Sequence, residues 1–264
     1  MTSRIALIGG GPRLGPVVAP ELQQLVAPAD ELVSYPSRIS AFPYTALEML
    51  LQEVGHAEAA FTAVDEGARA IVIDSVGDYG LGAMRASLSA PAFGSGEAGL
   101  AAAGAKGRRF AIVTVWPASM NFILEGRLRT YGHRDACTGI LNVGAEDDVA
   151  GADGPNAYLS RIKGGHQRVI DAASHAIGIA ASQGAEAVML GCTCMSGIAA
   201  TLAAAAPIPV INPLAAAVAA AAAAGPILRP SVGEDRRDML RAMVEAVAGA
   251  PAEACPVCIS EPQA

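Results

Sequence analysis

Cys192 and Cys194 stand one residue apart in AVMLGCTCMSGIA, residues 187–199, directly after an apolar run that ends on Gly191. A thiolate can take a proton as a general base, and the thiol can return it as a general acid. A cysteine between a strand and a helix N-terminus meets exposed N–H groups and a helix dipole, both of which favour the thiolate. Gly191 allows close backbone approach, and Thr193 and Ser196 offer hydroxyl donors. Such a site suits a small carboxylate or carbonyl compound whose charge grows as a carbon acid loses its proton. The same residues equally describe small, inert cysteines packed into a turn. Residue types alone leave both readings open.

Other groups that could carry chemistry are less organised. Cys255 and Cys258 form CPVC near the C-terminus, which is half of a zinc site without a second pair. An incidental tail feature is the favoured reading there. His56, His133, His166 and His175 lack metal-ligand spacing, and a surface or capping role is expected for His166 and His175. GGGPRLG, residues 9–15, follows a strand but has Leu14 where the dinucleotide fingerprint needs its third glycine. Neither a metal nor an organic cofactor is expected.

The elements that must position these residues alternate. Apolar runs at Ile5–Ile8, Ala70–Ile73, Phe110–Val115, Ala187–Leu190 and Val210–Ile211 read as strands. Helix-length stretches such as Tyr44–Ala60, Phe122–Tyr131 and His166–Gln183 separate them. Strands that are apolar throughout, joined by helices, predict an α/β fold with parallel sheets covered on both faces.

The chain also repeats itself. GARAIVIDSVGDYG, residues 67–80, matches GAEAVMLGCTCMSG, residues 184–197, and RIALIG at Arg4 matches RFAIVT at Arg109. Two matched segments in the same order predict a duplicated α/β unit. In that register Ser75 falls opposite Cys192, each just past the C-terminal end of a strand, where open α/β sheets bind ligands. Face-to-face packing of the two units would put Ser75 and Cys192 on either side of one cleft. The expected division is 1–97 with 212–250 for the first half and 98–211 for the second, with a flexible tail over 251–264. A linker is expected near Gly94–Gly107.

Composition narrows the function classes. The 264 residues are 52% hydrophobic and only 16% charged, which is globular rather than disordered. The net charge of −7 and scattered Lys and Arg argue against a nucleic-acid partner. Leu214–Ala224, mostly alanine, is too short for a bilayer and reads as a buried helix. Five cysteines without an export signal favour free thiols in a reducing cytoplasm. The expected partners are a small-molecule substrate and further copies of the chain, with neither nucleic acid nor membrane.

AVMLGCTCMSG resembles the second cysteine motif of the aspartate/glutamate/hydantoin racemase superfamily, and Val72–Ala98 resembles its first motif, especially in the hydantoin-racemase branch. The resemblance implies two flavodoxin-like parallel-sheet halves related by a pseudo-dyad, with the active site in the cleft between them. It implies cofactor-independent proton transfer by one thiol from each half. Here the second thiol maps to Cys192, and the first maps to Ser75, preceded by Asp74. An unactivated serine hydroxyl is too weak an acid to replace a thiol. Asp74 or Asp78 could supply the missing base, since a carboxylate enclosed in a cleft can titrate in a useful range. Alternatively, protons are delivered to one face only, as in arylmalonate decarboxylase of the same superfamily, and Ser75 helps hold the oxyanion.

The resemblance adds Gly10, Gly11, Tyr35, Ser37, Gly77, Asp78, Ser119 and Thr193 as substrate-binding candidates. Arg13 could meet a carboxylate or lie on the surface, and Glu97 is expected to be structural. For Asp78 the competing reading is a helix cap, and Ser119 could cap a helix or touch substrate. Cys194 reads as a packing residue, with a redox partnership to Cys192 as the alternative. The functional expectation is a racemase or epimerase acting on a hydantoin, amino acid or related carboxylate. A single-cysteine decarboxylase or lyase comes second, and a non-catalytic binding protein on the same fold third.

Overall fold

A computed structural model describes residues 3–9, 20–39, 41–150, 154–225 and 231–248. The chain divides into two compact units: residues 1–74, 78–93 and 218–264 form the first, and 75–77 with 94–217 form the second.

The first unit begins with β1 (Ser3–Gly9), a short α1 (Pro20–Gln23) and β2 (Asp30–Pro36). It continues through α2 (Ala46–Asp65), β3 (Ala68–Ile73), α3 (Leu81–Ser87) and β4 (Ala92–Gly94). The second unit runs through α4 (Ser95–Ala103), β5 (Phe110–Thr114), α5 (Asn121–Thr130) and β6 (Cys137–Asn142). Three helices, α6 (Glu146–Ala150), α7 (Gly154–Lys163) and α8 (Gln167–Ser182), then lead to β7 (Ala187–Leu190). After it come α9 (Ala199–Ala205), β8 (Val210–Ile211), α10 (Pro213–Ala223) and α11 (Glu234–Ala248). The last helix, with the C-terminal part of α10, belongs to the first unit.

Two four-stranded parallel sheets result, ordered β2-β1-β3-β4 and β6-β5-β7-β8. The two orders are the same, strand for strand, as a duplicated unit requires. Inner strands are buried at nearly every position: Ile5–Ile8, Ala70–Ile73, Phe110–Val113 and Ala187–Leu190 are essentially inaccessible. Burial on both faces is why these runs carry no polar alternation. In the first unit Ile8, Ile71 and Ile73 pack with Ala60, Ala63, Met84 and Leu88. In the second, Val113, Val188 and Leu190 pack with Ile162, Ala173 and Ile177, while Phe110, Ile112 and Met189 meet Leu100, Leu124 and Leu128.

Local signals explain the helix ends. Thr45 and Glu48 form a reciprocal capping box at the start of α2. Asn212 accepts from the N–H groups of Leu214 and Ala215 ahead of Pro213, the N-cap-then-proline arrangement that starts α10. Leu214, Ala217, Val218 and Ala221 are buried, so the alanine-rich stretch is a core helix.

The chain passes between the units at the start of Gly94–Gly107, but the stretch is structured and not the loop its glycines suggested. It holds the end of β4, helix α4 and a single 3₁₀ turn, with Ser95, Gly96, Gly99, Leu100 and Ala103 buried. Small residues serve close packing there. A Cβ on Gly99 would lie 2.6 Å from Pro213 Cβ and 2.9 Å from the Met189 sulfur. The expected tail over 251–264 lies outside the described residues, as do Gly10, Gly11, Arg13, Cys255 and Cys258. No described helix is long and apolar enough to cross a membrane.

Candidate active site

Strand β7 delivers Cys192 to the C-terminal end of the second sheet, next to Gly191. The glycine is required by crowding, since a Cβ there would sit 2.5 Å from Thr114 Cβ. Thr114, wholly buried at the end of β5, donates from its hydroxyl to the Gly191 carbonyl at 3.4 Å. Cys192 is extended (φ −151°, ψ 138°) and 9% exposed, in one core with Val115, Tyr158, Leu190 and Met195. Trp116 packs against that core and meets Tyr158 edge-on at 5.9 Å. The Tyr158 hydroxyl donates to the Val115 carbonyl at 2.8 Å, and burial, reinforced by Asp148, pushes its pKa up to about 12. This tyrosine is a neutral strut, not an acid.

The backbone after Cys192 departs from the expectation. Residues Thr193–Ile198 form a 3₁₀ run before α9 begins at Ala199, so no long helix points its dipole at the thiol. One specific donor replaces it: the Cys194 N–H points at Cys192 Sγ at 3.1 Å. In the reduced protein a donor at that position would favour the thiolate. Cys194 is also more than packing, because the structure joins its sulfur to that of Cys192, with Cα atoms 5.2 Å apart. Beyond it, Ser196 accepts a 2.7 Å hydrogen bond from Asn212, which ties the turn to the start of α10. Sequence reasoning passed over Asn212, Thr114 and Tyr158. The Asn-Pro pair at 212–213 was the legible signal for the first.

The equivalent turn after β3 carries Ser75. Its Oγ accepts from the Gly77 N–H at 3.1 Å, matching the Cys194-to-Cys192 contact in both register and length. Ser75–Gly77 cluster with the second unit, and Val76 is buried among Leu100, Phe110, Ile112 and Met189. The Ser75 and Cys192 turns therefore belong to one compact body. Asp74 is 7% exposed, and its backbone N–H donates to the Ile8 carbonyl at 2.7 Å. Asp78 is 2% exposed and has φ +46°, a left-handed conformation uncommon outside glycine. It does not cap α3, whose N-cap is Gly80.

The remaining candidates scatter. Tyr35 donates to Glu66 at 2.8 Å, and burial together with that carboxylate raises its pKa. Ser37, buried, donates to the Ile39 carbonyl at 2.8 Å. Both hydroxyls are thus engaged inside the first unit, Tyr35 beside a cavity of about 360 Å³ whose Arg38 already pairs with Glu58 and Glu245. Ser119 is exposed, and its hydroxyl donates to Glu146 at 2.7 Å instead of capping α5. Thr193 lies half-buried beside Cys192. Among the described residues, no three of His, Cys, Asp and Glu gather as a metal site. His166 and His175 are exposed, His166 at the N-cap position of α8.

Residues 21–221 match the family described as Asp/Glu/Hydantoin racemase. The chain belongs to that family. It is 31% identical over 190 residues to hydantoin racemase of Rhizobium meliloti, a stretch covering 72% of this chain and 66% of the relative's own length. Among solved structures it is similar to allantoin racemase from Klebsiella pneumoniae, with a TM-score of 0.65 at 21% identity over 99% of this chain and 95% of the other. Unliganded arylmalonate decarboxylase shares the fold more distantly, with a TM-score of 0.54 at 18% identity over 88% and 98% of the two chains.

Proposed function

We propose that this protein is a cofactor-independent racemase or epimerase that moves the α-proton of a small carbon acid, using Cys192 as its acid–base group. The observation that carries the reading is the matched pair of turns: each ends an inner strand, and each aims a backbone N–H at a side-chain heteroatom two residues earlier, Ser75 Oγ or Cys192 Sγ. Membership of the racemase family supports it.

In the reduced protein the Cys192 thiolate removes the α-hydrogen, and the electrons of the C–H bond move onto the adjoining carbonyl as an enolate. Backbone N–H groups and the Thr193 hydroxyl hold that growing charge. Reprotonation on the opposite face inverts the centre. Ser75 stands on that face as a hydrogen-bond donor, and Asp74 beside it in the chain supplies the carboxyl that a lone hydroxyl cannot replace. The substrate is a hydantoin, allantoin, an amino acid or a related carboxylate, and the enzyme works as a soluble assembly of identical chains.

Ser75 itself favours one second reading. A hydroxyl in place of a first thiol suits a decarboxylase, in which loss of carbon dioxide forms the enediolate and Cys192 protonates it from one side. Incubation with 5-substituted hydantoins, allantoin, aspartate, glutamate and arylmalonates in D₂O separates the two. A racemase incorporates deuterium at the α-carbon while optical rotation decays. A decarboxylase releases carbon dioxide and leaves an optically enriched product. Cys192→Ala should lower either rate at least about a hundredfold, the scale expected for an acid–base group. A Cys192→Ala variant that exchanges deuterium like its parent would end the proposal.

A further inference from the structure

We propose that Cys192 and Cys194 form a reversible disulfide that switches the proton-transfer site off under oxidising conditions; the loss of activity rests on the proposed role of Cys192, whereas the disulfide itself does not.

Geometry prepares the pair. Residues two apart on an extended chain point to the same face but lie roughly 6.7 Å apart at Cα. Here the extended Cys192 gives way at once to the 3₁₀ turn, which shortens that separation to 5.2 Å, inside the usual disulfide range of about 4.4–6.8 Å. The sulfurs are joined in this arrangement. The backbone around them is held in place: Gly191 presses on Thr114, Met195 is fully buried, and Asn212 pins Ser196. Cys194 is half-buried, whereas Cys192 is nearly enclosed. Cys137, by contrast, is a free thiol elsewhere in the second unit, and burial raises its pKa.

The chemistry balances with hydrogen peroxide as oxidant. The Cys192 thiolate attacks one peroxide oxygen, the O–O bond breaks, and hydroxide leaves to become water, giving a sulfenic acid. The Cys194 thiolate then attacks that sulfur, an S–S bond replaces the S–O bond, and a second hydroxide departs as water. Two thiols and one peroxide give one disulfide and two waters. In the disulfide Cys192 has neither a basic thiolate nor a proton to give. A dithiol reductant returns two electrons and two protons and restores both groups.

The test uses the full-length protein with one to five equivalents of hydrogen peroxide, then tris(2-carboxyethyl)phosphine. Intact mass and peptide mapping are read beside deuterium exchange into the substrate, each variant against its own untreated rate. Expected is a loss of 2 Da confined to the peptide carrying residues 192 and 194, a fall in exchange of more than about tenfold, and full recovery on reduction. Cys194→Ser should instead add 32 Da as a sulfinic acid at Cys192 and lose activity irrecoverably. If Cys192→Ala is inactive yet the oxidised parent gains 32 Da and no 2 Da loss, the switch is wrong and the catalytic assignment stands. If the 192–194 disulfide forms and exchange is unaltered, both the switch and the role of Cys192 are overturned.

Discussion

His56→Leu should make the protein more resistant to acid. His56 lies on α2 with no accessible surface, its ring 5.6 Å from that of Tyr79. Neither ring nitrogen has a hydrogen-bond partner of ordinary geometry, although the Tyr79 backbone slightly favours the protonated form. Burial dominates and holds the pKa down, from 6.5 to about 4. The unfolded chain therefore binds a proton that the folded chain refuses. Stability is complete above pH 6.5, declines as the pH falls toward 4, and levels off below that. The full loss is about 3 kcal/mol, of which about 2 kcal/mol falls between pH 7 and pH 4.5. Leucine fills similar space and does not titrate. Urea denaturation of parent and variant at both pH values gives the comparison, because every other titrating group cancels in the difference. The parent should lose about 2 kcal/mol more than the variant. Equal losses would refute the reasoning and place an unrecognised partner on the imidazole. The consequence reaches the site, since Tyr79 comes directly after the Ser75–Asp78 turn and would be loosened by a charged His56.

Two further outcomes are expected. Gly191→Ala should cost about 1–3 kcal/mol in urea melts, because its Cβ meets Thr114 at 2.5 Å and Ile112 at 3.0 Å. It should also slow deuterium exchange more than tenfold by shifting Cys192, and a variant as stable and active as its parent would show that the strand end yields freely. Ser75→Cys should raise deuterium exchange into the less-favoured enantiomer, since the Gly77 N–H already points at that position at 3.1 Å. No change on chiral chromatography would make residue 75 a bystander.

The inner strands were legible because burial on both faces leaves nothing but apolar residues. Ile5–Ile8, Ala70–Ile73 and Ala187–Leu190 all fall within strands, and His166 and Gln183 bracket α8 as its two caps. What escaped were three of the four edge strands, since the fourth, Val210–Ile211, reads as a strand in the sequence. Asp30–Pro36 and Cys137–Asn142 pair on one side only, are partly exposed, and so mix charged, hydroxyl and glycine residues into their patterns. The three-residue strand Ala92–Gly94 was too short to register. Gly94–Gly107 misled because glycine signals both loop and tight packing, and only the neighbours, Pro213 and Met189, decide which. At the site, the repeat located Ser75 and Cys192 as equivalent positions. The coupling of Cys192 to Cys194 was legible only as the alternative to packing, because it depends on the 3₁₀ turn that replaces the expected helix.

The order in which the chain is distributed between its units bears on its synthesis. The second unit is an insertion: residues 94–217 are made while the first unit still lacks its C-terminal portion. That portion is not decoration. Arg69 pairs with Asp30 and donates to the carbonyls of Ala221, Ala222 and Ala224, and Arg237 and Arg241 of α11 bind Asp65 at the end of α2. On the ribosome the inserted unit can thus close around its own sheet while its host waits with α2 uncovered. Truncation between residue 217 and α11 would leave residues 94–217 whole and remove the partners of Asp65.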